Sequence, residues 1–167
     1  MERRNAWLSY TEAEEKELEK AAKAYRNFLN AGKTERECVT QIVKEAREAG
    51  YESLEEKTAK SEKLKAGDKI YTVGMKKIVA LFHIGQDDIE EGMNILGAHI
   101  DSPRLDVKQN PLYEDTDLAY LDTHYYGGVK KYQWVTLPLA IHGVVVKKDG
   151  SVAEVNIGED EEDPIVY

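Results

Sequence analysis

The hydrophobic spacing of this chain changes from a helical period to a strand-like one near residue 69, and helices followed by strands suggest a fold in which helices pack on a sheet. Two helices with one grammar come first. Thr11 and Glu14 have capping-box spacing and Leu18, Ala21, Ala22, Tyr25, Phe28 and Leu29 recur on one face, which predicts a helix from about Thr11 to Leu29 that stops at Gly32. Thr34 and Glu37 repeat the box, Cys38, Val39, Ile42, Val43, Ala46 and Ala49 form the second stripe, and Gly50 ends it. Cys38, the single cysteine, falls on that apolar stripe and reads as core packing; one cysteine excludes an internal disulfide and a Cys-based zinc finger. Trp7 and Tyr10 read as packing ahead of the first helix, and the polar, Lys/Glu-rich stretch 52–67 as a surface connection.

After the change, Lys69-Ile70-Tyr71-Thr72-Val73 and Lys77-Ile78-Val79-Ala80-Leu81-Phe82-His83-Ile84 predict a β-hairpin joined around Gly74. The second run is almost continuously apolar, which suggests a strand covered on both faces. His83 has no carboxylate or Cys at ligand spacing and reads as a strand-end or core histidine. The acidic turn 86–92 lacks the alternating Asp pattern of a calcium loop.

The chemistry gathers in Ile95-Leu96-Gly97-Ala98-His99-Ile100-Asp101-Ser102-Pro103. The apolar residues place His99 at the end of a buried strand, and Pro103, without an N–H, stops the ladder. A carboxylate two residues on shares the imidazole's face of the strand. It can bind a zinc-type ion beside the imidazole, or hold the ring's other N–H. The same spacing also serves a His hydrogen-bonded in a strand-end turn.

Residues 97–108, Gly-Ala-His-Ile-Asp-Ser-Pro-Arg-Leu-Asp-Val-Lys, closely resemble the first metal-site segment of the aspartyl aminopeptidase and vacuolar aminopeptidase I family of dinuclear zinc exopeptidases. The helix pair, the Lys- and Gly-bearing hairpin and Tyr126-Gly127-Gly128 follow in that family's order. The resemblance implies that His99 is a ligand of one of two zinc ions and that Asp101 is the carboxylate that orients it. It implies peptide substrates and a homo-oligomer. The family's bridging Asp, its Glu pair and its last Asp and His ligands lie downstream, beyond Tyr167. The chain therefore reads as the amino-terminal portion of an enzyme, inactive alone, and its apolar ending Ile165-Val166-Tyr167 reads as a cut through an element. Two further readings stay open: a non-catalytic oligomerisation module in which His99 is structural, and a related dinuclear metallo-deacylase.

The fold class expected is α/β, a partial phosphorylase/hydrolase-like sandwich over residues 1–108, followed at 109–167 by what the resemblance implies is the start of an inserted β-rich dimerisation domain. Gln109-Asn110-Pro111 reads as the boundary turn, and Leu112 to Thr123 shows no clear period. Residues 134–146 read as strand pairs broken by Pro138, and 147–150 as a tight turn before Val152–Ile157. Tyr125-Tyr126-Gly127-Gly128 with Lys130 and Lys131 lacks the order of a phosphate loop. Where the family runs Tyr-Gly-Gly-Gly, then Trp residues, then Asp-Arg, this chain has Val129-Lys130-Lys131-Tyr132-Gln133-Trp134 and no Asp-Arg, so the family's preference for acidic amino-terminal residues is not carried over. His124 either reaches an active site or caps a loop. A net charge of −9 excludes a phosphate-binding basic face, and no apolar run is long enough for a membrane span or a signal peptide, so a cytoplasmic protein is expected.

Overall fold

The structure, a computed structural model, describes residues 5–163. The expectation for Ile165-Val166-Tyr167 lies outside the described residues.

Both capping boxes form. Helix α1 spans Glu12–Ala31: Thr11 accepts from the Glu14 backbone N–H, and Glu14 accepts from the Thr11 backbone at 2.7 Å. Helix α2 spans Glu35–Glu48 and repeats the arrangement with Thr34 and Glu37. The two stripes fare differently. Cys38, Val39 and Ala46 of α2 are buried, whereas no residue of α1 is, and Tyr25 and Leu29 stand exposed. The Cys38 thiol packs at Gly32, where an added Cβ would meet its Sγ at 2.8 Å, so the turn between the helices has room only for glycine.

Residues 52–67 are not only a surface connection. Strand β1 (Glu52–Ser53) runs into helix α3 (Leu54–Ala59), whose first turn is capped by Ser53. Lys57, nearly buried, reaches Glu52, Glu62 and Asp68 at 3.1, 3.5 and 3.6 Å, so the Lys/Glu richness of the stretch is a local ion-pair hub. The hub gives a polar sequence a fixed shape without an apolar stripe to announce it.

Strand β2 (Lys69–Gly74) pairs in parallel with β1 and antiparallel with β3 (Ile78–His83), giving a three-stranded sheet in the order β1-β2-β3. The turn falls at Met75 and Lys76, both with positive φ. Ile70 and Tyr71 of β2 form the core with α2, and Arg47 of α2 fastens that contact by donating to the Tyr71 hydroxyl at 2.7 Å. His83 ends β3 opposite Lys69. β3 is not covered on both faces: Ile78, Leu81 and Phe82 are exposed. Nor is 95–100 a strand. The segment has no regular structure, and Leu96 is 101% exposed. An apolar run records a tendency to be buried, but a ladder also needs a neighbouring strand, and among the described residues none pairs with it.

The described residues divide after Ala98 into two compact units. In the second, β4 (Arg104–Asp115) and β5 (Leu118–Tyr126) make a long antiparallel hairpin. Gln109-Asn110-Pro111 is therefore not a turn but part of an irregularity inside β4, where the register shifts between Val107 and Leu112; Pro111 cannot donate to the ladder. The turn itself lies at Thr116 and Asp117, both with positive φ, where the Asp117 N–H donates to Glu114. Its residues carry no glycine, which is why 112–123 showed no readable break. A short helix α4 (Lys131–Trp134) replaces the strand expected from Trp134, and β6 (Ile141–Val146) pairs with β7 (Val152–Ile157) across the expected 147–150 turn.

Candidate metal centre

His99, Asp101 and Pro103 lead directly into β4, and the hairpin register brings the end of β5 back beside them, with Arg104 opposite Tyr126. Gly127 then turns with φ +72° against Pro103, where an added Cβ would lie 3.4 Å from its Cα. A side chain at this left-handed position would strain the turn that keeps Tyr126 beside Asp101.

The imidazole Nδ1 of His99 lies 3.0 Å from the Asp101 carbonyl oxygen and 3.2 Å from its Oδ1. Both are acceptors, so Nδ1 carries the proton and the lone pair is left on Nε2. The side chain is 85% exposed, and Nε2 meets no partner among the described residues. The other carboxylate oxygen, Oδ2, accepts from the Tyr126 hydroxyl at 2.7 Å. That hydrogen bond is the chief reason why the Asp101 carboxyl sits below the usual carboxylate range; the backbone and, less strongly, the His99 imidazole add to it, and burial opposes it. The Arg104 guanidinium lies 4.1 Å from the centre of the Tyr126 ring, and its Nε donates to Asp106 at 2.6 Å.

This donor set fits one position of a zinc sphere: a neutral imidazole of fixed tautomer, backed by a carboxylate. Among the described residues no group of three or more His, Cys, Asp or Glu could hold a metal ion, so the remaining positions need other residues. His124 does not join His99. It pairs with Asp106 in the ladder and its Nδ1 faces the Tyr125 carbonyl at 3.3 Å, a contact between neighbours within β5. His142, which the sequence pattern did not single out, is enclosed on β6 with Nε2 3.3 Å from Glu159. Sequence spacing gives Tyr126 and Arg104 no role; the β4–β5 register brings them to Asp101 and Asp106, and that register depends on a turn without glycine.

Residues 28–167 match the family described as aminopeptidase I zinc metalloprotease (M18). The chain is 57% identical over 164 residues to a probable M18 family aminopeptidase 1 of Clostridium acetobutylicum, covering 98% of this chain and 35% of the relative. It is 43% identical over 169 residues to the one of Thermotoga maritima, again covering 35% of the relative. Among solved structures, the aminopeptidase I of Borrelia burgdorferi superposes with a TM-score of 0.89 at 41% identity, over 97% of this chain and 39% of that one. The chain thus spans about a third of the length of the curated relatives it matches.

Proposed function

Because this chain belongs to the aminopeptidase I zinc metalloprotease (M18) family, we propose that it is the amino-terminal portion of a zinc-dependent aminopeptidase that removes amino-terminal residues from peptides. The observation that carries this is the His99 imidazole, with Nδ1 held by Asp101 and Nε2 open to solvent, inside the segment that the family match covers. His99 is the ligand of one zinc ion of a pair, and Asp101 fixes its tautomer and plane. Zinc, when bound, supplies Lewis-acid activation of the scissile carbonyl and of a water. The general base and the other ligands come from outside this chain, which alone does not turn over substrate.

Residues 1–108 belong to the catalytic α/β sandwich, and 109–167 begin a β-rich dimerisation domain of a cytoplasmic homo-oligomer. The exposed Ile89, Met93, Ile95 and Leu96 and the bare face of β3 support an unfinished sandwich; exposed Leu112, Tyr113, Leu118 and Val146 on the two hairpins support an interface. No helix among the described residues is long and apolar enough to cross a membrane. The test is His99→Ala in the complete protein. It should lower bound zinc by one ion per active site and bring hydrolysis of aminoacyl substrates to background; unchanged zinc content and turnover would reject the assignment.

A further inference from the structure

Asp101 faces two rings at once. Its Oδ1 lies 3.2 Å from His99 Nδ1, while its Oδ2 accepts from the Tyr126 hydroxyl at 2.7 Å. A carboxylate engaged at one oxygen can still swing about its side-chain bonds. Engaged at both, it is fixed in position and in plane, and so is the imidazole that donates to it.

Tyr126 is itself held from several sides. It pairs with Arg104 in the β4–β5 ladder, the Arg104 guanidinium lies 4.1 Å over its ring, and that guanidinium is tied to Asp106 at 2.6 Å. Gly127 closes the turn against Pro103 directly after it. The ring nevertheless remains 38% exposed, on a two-stranded hairpin, so core burial is not what keeps it there. The arrangement aims the hydroxyl at Asp101, with a stacked arginine holding the ring.

We propose that Tyr126 is a positioning residue of the metal centre: acting through Asp101, it fixes the direction in which the His99 Nε2 lone pair meets a divalent cation of the zinc type. This rests on the reading of His99 as a ligand. Tyr126→Phe removes only the hydroxyl and keeps the ring under Arg104, so folding is spared.

The experiment is competition for zinc between a chelator and the complete protein, in wild type and variants. Tyr126→Phe weakens zinc binding about three- to tenfold, the scale of one ordinary hydrogen bond acting at one remove from the ligand. Asp101→Ala weakens it roughly ten- to a hundredfold. Added to Asp101→Ala, Tyr126→Phe causes no further loss, because the hydroxyl acts only through that carboxylate; a merely structural tyrosine would weaken both backgrounds alike. Tyr125→Phe, on the neighbouring strand position, leaves the affinity unchanged. Wild-type affinity in Tyr126→Phe, with zinc lost in His99→Ala, overturns the inference and leaves the ligand reading standing. Equal losses in the two backgrounds also overturn it. Undiminished zinc binding in His99→Ala overturns the ligand reading and this inference with it.

Discussion

On the proposed reading, a single carboxylate decides how good a ligand His99 would be. Asp101 accepts from Nδ1, which holds the ring in place and turns Nε2 outward. Asp101→Asn keeps the shape but removes the charge, and zinc affinity of the complete protein should fall roughly ten- to a hundredfold, read by chelator competition. An affinity equal to wild type would mean that the 3.2 Å contact orients nothing. The His99–Asp101 pair was legible in sequence because spacing two along an extended segment puts both side chains on one face. Tyr126 was not, because its contact spans 25 residues and depends on where a hairpin turns.

The elements differ in how openly they declare themselves. Both long helices could be read from their capping boxes, since Thr and Glu three residues apart state a backbone geometry locally. Thr34→Ala removes the acceptor for the Glu37 N–H and should cost about 1 kcal/mol of stability, seen as a lowered urea midpoint with unchanged slope. The β4–β5 turn and the α3 hub stayed hidden: the one uses Thr116 and Asp117 where glycine would be expected, the other is held by Lys57 and its carboxylates and has no apolar period. The link from α3 to the sheet carries a pH dependence. Glu55 accepts from the Thr72 hydroxyl, and this donor, followed by Ser53, lowers its carboxyl below the ordinary 4.5. A lowered folded value contributes stability that is present above 4.5 and is lost as pH falls through the folded value. The advantage of wild type over Thr72→Val, measured as the difference in urea midpoint, should therefore be larger at neutral pH than at about pH 3. A difference independent of pH would show that Thr72 acts by packing alone.

At the scale of the molecule, the sequence reads as more buried than the described residues are. The core is confined to Cys38, Val39, Ala46, Ile70 and Tyr71, while Ile78, Leu81, Phe82, Ile95 and Leu96, whose pattern promises burial, stand in solvent. Apolar runs report what a segment requires, and the supply of covering surface is a property of the whole protein; this chain spans about a third of the length of its curated relatives. The same division applies to the proposed metal centre, for which the described residues offer one imidazole and its carboxylate and no group of three or more ligand side chains. The most direct test is a crystal structure of the complete protein with zinc located by anomalous scattering at its absorption edge. The account predicts a zinc ion about 2.0–2.1 Å from His99 Nε2, with Nδ1 on Asp101. Zinc bound elsewhere, with His99 Nε2 outside its coordination sphere, would contradict it.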